Sequence, residues 1–188
     1  MAKSGPLTDL DRALAGAEAV IAGIVPGQWT APTPCTELDV RAIVNHLVSG
    51  NRAFTAYVTG AKPPARGTDV LGDDPLAAYR EAGAGLRAAF GSADALDEVY
   101  KAPFGTAPGA VLVQVRVLEQ LAHGWDIARA TGQAPDFPDD VAERALAVAR
   151  QTLASRPTGP GAPFGPEVPA PDGAPVLDRL AAFLGRPV

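Results

Sequence analysis

The twenty residues from Val111 to Ala130, VLVQVRVLEQLAHGWDIARA, constrain this chain more than any others. They hold no proline and a single glycine, and they are apolar around most of a helix's circumference. A helix of that kind has to be surrounded by other elements. Yet Glu119 and His123 stand one turn apart on it, on the same face. At 100° per residue, Arg116, Glu119, His123 and Asp126 fall within roughly 80° of one another. They form a polar strip at the edge of a core-facing surface. Unpaired charges there are costly to bury, so the strip needs partners.

The only other histidine is His46, in the helical stretch LDVRAIVNHLVSGNRAF. Val40, Ile43, Val44, Leu47, Phe54 and Val58 make its apolar arc, and His46 lies roughly 60° outside that arc, at the rim of the core. Both histidines thus sit beside apolar arcs on helices. This placement lets His46, Glu119 and His123 meet in space and hold a divalent metal. Two histidines and a glutamate make a catalytic zinc set with one position left for water or substrate. The same donors suit nickel or ferrous iron. Taken alone the pattern is weak, because Glu/His pairs four residues apart also arise as solvated or ion-paired side chains.

Along the chain, Leu7, Leu10, Leu14, Ala17, Ile21 and Ile24 keep helical spacing, which predicts a first helix over about 7–24. The run Gln28 to Cys35 has too many prolines for regular structure. Thr36 then fits an N-cap, with Asp39 in the place of a capping-box glutamate, and the second helix runs from there to about Val58. Pro75 opens a third helix through Phe90, weakened in its middle by Gly83 and Gly85. Short extended pieces are expected around 99–103. The fourth helix is 111–130, and a fifth starts near Asp139 and carries Leu146 and Leu153. A proline- and glycine-rich tail, 157–171, precedes a short helix over 175–184. Phe164, Val168, Leu180 and Phe183 are too apolar for a free solvated segment, so the tail is expected to wrap back over the bundle. The reading is an all-α protein of one domain, 1–188, with a bundle over about 7–154 and a tail with a short helix over 155–188.

Composition removes several classes of function. With a net charge of -5 and no run of lysine or arginine, the chain has no electrostatic footprint for nucleic acid or an anionic membrane. No apolar stretch reaches the roughly 18 residues of a membrane span, and the N-terminus has no signal-peptide pattern. A cytoplasmic location is the expectation. Cys35 is the single cysteine, so no intrachain disulfide can form. It is either a reactive thiol near the start of the second helix or a small buried apolar residue. There is no phosphate-binding loop, dinucleotide fingerprint or HExxH pair.

Two runs carry a family resemblance: Trp29-x2-Pro32-Thr33-Pro34-Cys35-x4-Val40-x5-His46 and Glu119-x3-His123-Gly124-Trp125-Asp126-x-Ala128. With the closing segment from Phe164-Gly165 to Leu184-Gly185-Arg186, they resemble the DinB-like superfamily. The similarity is to its actinobacterial branch, related to the N-terminal domain of mycothiol-dependent maleylpyruvate isomerase. The resemblance implies a four-helix bundle that binds a divalent metal, usually zinc, through His46, Glu119 and His123. It also implies a low-molecular-weight thiol such as mycothiol as cosubstrate, and a homodimer as an assembly open to the chain. The isomerase carries a further C-terminal domain for which there is no room here, so its reaction does not transfer by default.

The functional expectation is a metal-dependent thiol transferase or isomerase acting on a small electrophile. Alternatives are a metal-dependent hydrolase and a metal-binding or sensing module without turnover, the latter favoured if Asp126 closes the coordination shell. In the catalytic reading Asp126 accepts the free ring N–H of a ligand histidine. Its other role is an ion pair with Arg116 or Arg129. Arg116 is a candidate to bind the carboxylate of a substrate or thiol cofactor.

Overall fold

The computed structural model describes residues 5–153 and 164–188. Among them are six α-helices, a short 3-10 turn at Pro26–Gln28 and one small hairpin. Helix α1 spans Pro6–Ala22, α2 Val40–Thr59, α3 Pro75–Phe90, α4 Gly109–Thr131, α5 Asp139–Leu153 and α6 Val176–Phe183. Strands β1, Val99–Ala102, and β2, Gly105–Pro108, pair antiparallel with Val99 opposite Pro108. No helix is long and apolar enough to cross a membrane among these residues.

Local chemistry sets the boundaries. Proline stands in the first turn of α1 and α3, where its missing N–H costs nothing. Asp74 caps α3 by accepting from the Ala77 N–H at 2.9 Å. The second helix begins later than expected. Its cap is Asp39, which accepts from the Ala42 N–H at 2.8 Å, and not Thr36. The reason is tertiary: Pro32 and Asp39 form a bridge, and the Thr33 hydroxyl donates to the Leu38 carbonyl at 2.7 Å. Together they hold 33–38 as a closed loop. Helices α2 and α4 both end on a glycine in the left-handed region, Gly60 at φ 75° and Gly132 at φ 71°. Helix α3 runs unbroken through Gly83, whose bare face packs toward Leu14 of α1.

Helix α4 is the hub. It packs on α1, α2, α5, α6 and β2, which is what its nearly all-round apolar surface requires. Leu112, Val113, Leu121, Trp125, Ile127 and Ala128 are fully buried in the shared core. Close approach of α1 and α4 depends on two glycines. Phe137, in the loop after α4, inserts its ring between Gly16 of α1 and Gly124 of α4. A Cβ at either glycine would lie 2.5 or 2.3 Å from ring carbons.

The C-terminal part does wrap back. Leu180 and Leu184 are fully buried, α6 packs on α5 and α4, and the Trp125 indole donates to Asp178 at 2.7 Å. The Val168 N–H donates to the Ala182 carbonyl at 3.0 Å, so the tail runs beside its own helix. The portion 157–163 of the expected tail lies outside the described residues.

Candidate metal centre

Helices α2 and α4 lie against each other, and the contact brings His46 to the polar strip of α4. One carboxylate oxygen is the focus. Glu119 Oε2 lies 2.8 Å from His46 Nε2 and 3.4 Å from His123 Nε2. The two imidazoles meet edge to face, with centroids 4.9 Å apart. Accessibility is graded across the three: the His46 side chain is 47% exposed, Glu119 18% and His123 8%. The group therefore opens to solvent on the His46 side and is walled in on the other.

Electrostatics follow from that enclosure. Burial works against ionisation of Glu119, but hydrogen bonds from His123 and His46 and their charges outweigh it, holding the carboxyl well below the usual range. Burial also opposes a charge on His123. The bonds to Asp126 and Glu119 more than offset this and raise its pKa to about 8. Two imidazole nitrogens and a carboxylate oxygen converging from two helices form a donor set that suits zinc or a neighbouring divalent ion.

Asp126 is fully buried, and its Oδ2 lies 3.0 Å from His123 Nδ1. That leaves Nε2 of His123 facing Glu119, the arrangement in which a carboxylate orients a metal-binding imidazole. The expected alternative partners of Asp126 are otherwise engaged. Arg129 stacks over the Trp125 ring, and Arg116 turns toward α2. The cation that Asp126 faces is Arg186, whose Nη2 donates to Oδ2 at 3.0 Å and Nε to Oδ1 at 3.3 Å. With both oxygens engaged, Asp126 does not present itself as a fourth ligand.

Arg116 is not placed to meet a ligand arriving from solvent, because it is 2% exposed. Its Nε and Nη2 donate to Asn51 Oδ1 at 3.2 and 2.9 Å, and Nη2 also reaches the Leu47 carbonyl. The guanidinium lies over the Phe54 ring and against the bare backbone of Gly50, where a Cβ would sit 2.6 Å from Nη1. Gln120 donates to the same Asn51 oxygen at 3.0 Å, and the Tyr79 hydroxyl donates to Gln120 Oε1 at 2.6 Å. Arg116 Nη1 also stands 4.0 Å from Glu119 Oε2. It backs the carboxylate from inside the bundle.

Cys35 lies close to His123 and Asp126, with candidate donor atoms of the three within 4.8 Å of one another. It does not sit at the N-terminus of α2, which starts at Val40, so the helix dipole cannot acidify it. Burial first and the charge of Asp126 second push its thiol up, against Arg186. Arg186 on Asp126 also disfavours a cation among these three side chains.

Asn51, Gln120 and Tyr79 carry no sequence signal for this role, since each reads as an ordinary helical residue. Arg186 stands in a quoted motif, yet nothing in its neighbours indicates a partner on α4.

Residues 10–128 match the family described as the mycothiol maleylpyruvate isomerase N-terminal domain. Over 97% of its length the chain is 36% identical to uncharacterized proteins from two strains of Mycobacterium tuberculosis, covering 98% of each. The fold is similar to crystal structures of mycothiol-dependent maleylpyruvate isomerase and of its histidine-to-alanine mutant, with TM-scores of 0.58 and 0.60. These likenesses cover 76% of this chain and 66% of the isomerase, at 16% identity, and are likenesses of fold. The chain thus spans just under two thirds of the isomerase's length. On the match over 10–128, which takes in α2 and the whole polar strip of α4, the chain belongs to the mycothiol maleylpyruvate isomerase N-terminal domain family.

Proposed function

We propose that this protein binds a divalent metal ion, zinc foremost, through His46 Nε2, Glu119 Oε2 and His123 Nε2. We propose further that it is a thiol-dependent transferase or isomerase acting on a small electrophile, with mycothiol as the thiol. The observation that carries the reading is the convergence of two imidazole nitrogens on one carboxylate oxygen at 2.8 and 3.4 Å. Family membership and the mycothiol-dependent isomerase of similar fold support the thiol half. Zinc, when bound, would act as a Lewis acid that lowers the pKa of a coordinated thiol and supplies a thiolate near neutral pH.

The chain's own residues do the rest. Asp126 engages Nδ1 of His123, so Nε2 is the nitrogen left to ligate once it gives up its proton. The two carboxylates each face a guanidinium, Glu119 that of Arg116 and Asp126 that of Arg186. Their charges offset one another, which leaves the positive charge of a bound ion uncompensated and favours an anionic fourth ligand such as a thiolate. The exposed side of His46 is the entry. A reducing cytoplasm, the location expected for this chain, would keep such a thiol reduced.

The test is elemental analysis of protein purified without a histidine tag, alongside His46→Ala and His123→Ala. Close to one metal per chain in the parent and little in either variant is expected; a metal-free parent would end the proposal. Zinc-loaded protein is then titrated with mycothiol. Absence of binding, or a bound thiol that still titrates like the free one, removes the thiol-dependent half.

A further inference from the structure

Past α6 the backbone turns through Gly185 at φ 87° and delivers Arg186 into the bundle, where it is 5% exposed. The turn is tight. A Cβ at Gly185 would stand 2.6 Å from the Gly165 Cα, so the two strands of the tail cross with no side chain between them. Arg186 is anchored to its own segment by Nη1, which donates to the Leu184 carbonyl at 3.1 Å, and by its N–H to the Ala181 carbonyl at 2.9 Å. The other two nitrogens of the fork, Nε and Nη2, take both oxygens of Asp126. A continuous line of hydrogen bonds therefore runs from the tail through Asp126 to His123 Nδ1.

We propose that Arg186 is a positioning residue of the ion site: it pins Asp126 in one orientation, and through Asp126 it fixes the ring of His123 for ligation. The inference rests on the metal reading above. It adds that the site is completed by a residue outside the matched domain, since the family match ends at residue 128.

The physical reason lies in the isolation of Asp126. A fully buried carboxylate held only by one imidazole is free to rotate about its own axis, and the imidazole with it. A two-point guanidinium contact removes that freedom, which a single ammonium cannot do. Two effects of Arg186 on cation binding then oppose each other. Its positive charge repels a divalent ion, whereas its hold on Asp126 favours one. The proposal is that the second effect wins.

That opposition makes the test sharp. Zinc affinity is measured by competition with a chromophoric chelator for the full chain, Arg186→Lys and Arg186→Met, with circular dichroism and thermal melting of each metal-stripped protein. Arg186→Lys keeps the charge and loses the fork, so any drop in affinity reports geometry alone. The expected result is about tenfold weaker zinc binding in Arg186→Met, the scale of an orienting partner's loss, with a smaller drop in the same direction for Arg186→Lys. Equal or tighter zinc binding in Arg186→Lys overturns the proposal, whatever the melting temperature does, because a purely structural tie would leave affinity unmoved or raise it. Should Arg186→Met fail to fold, Arg186→Lys alone decides. Failure of the parent chain to bind zinc would instead sink the metal site itself, and the two failures are told apart by the parent measurement.

Discussion

His46 and His123 come from different helices, yet their rings stand 4.9 Å apart at an interplanar angle of 76°. Between them they enclose Glu119 Oε2, and the nearness of the three donors governs how the site answers to protons and to metal.

If His123 ligates zinc as proposed, zinc and protons compete for it. With its pKa raised to about 8, this imidazole is mostly protonated at pH 7 and has to lose its proton to ligate. Calorimetry at pH 7 in buffers of different ionisation enthalpy should show close to one proton released per zinc from this group. The release should fade above pH 9, well past that pKa. Binding at pH 7 without proton release would contradict the assigned donor.

In the metal-stripped protein the same group sets a pH dependence of stability. The folded pKa of His123, about 8, lies above the ordinary 6.5. Its contribution is therefore complete below pH 6.5 and is lost as pH rises through about 8, on the order of 2 kcal/mol. Glu119 acts in the opposite sense. Its folded pKa is depressed below the ordinary 4.5, so its contribution is present above that pH and is lost on acidification. Urea midpoints of chelator-treated protein should peak between about pH 4.5 and 6.5, and His123→Gln should flatten the alkaline limb.

Removing the guanidinium of Arg116 should destabilise the bundle by roughly 3 kcal/mol, as expected when one member of a buried charged network is lost. Asn51 Oδ1 would lose two of its donor contacts, and Glu119 would lose the guanidinium that stands 4.0 Å behind it. Chemical denaturation of Arg116→Met measures this; a change under 1 kcal/mol would mean the network is not structural.

Cys35 should be a sluggish nucleophile. Burial and the neighbouring Asp126 both raise its thiol pKa. Alkylation by iodoacetamide at pH 8 should run about tenfold slower than that of an unfolded peptide thiol, with the difference vanishing in denaturant. A rate at or above the peptide's would restore the reactive reading.

How far the sequence could be read depended on the range of the forces involved. The helices were legible because an apolar face repeats every three or four residues, and α1, α3 and α5 each follow that period. Glu119, His123 and Asp126 stood out as polar residues on one edge of an apolar helix. The hairpin was only glimpsed, since four-residue strands are too short to display alternation. The start of α2 falls three residues after the Thr36 cap that the sequence suggests, because Asp39 is an equally good cap and a bridge between Pro32 and Asp39 decides between them. Depth was the quantity least visible. Helical angles put Arg116 on the right face, but only its partner Asn51 on α2 shows that it points inward. Arg186 was out of reach for a related reason, its carboxylate partner lying 60 positions earlier on another helix.

Phe137 and the two glycines it separates have a consequence for inheritance. The ring fills the notch left by Gly16 and Gly124, so these positions, drawn from α1, α4 and the loop after it, share one volume. Relatives should vary them as a set: an alanine at 16 or 124 belongs with a smaller residue at 137, and a lone exchange at any of them should be rare. Because Gly124 follows His123 directly, that shared volume also fixes how far α1 stands from the imidazole, and drift in an ordinary packing residue is coupled to the geometry of the proposed metal site next door.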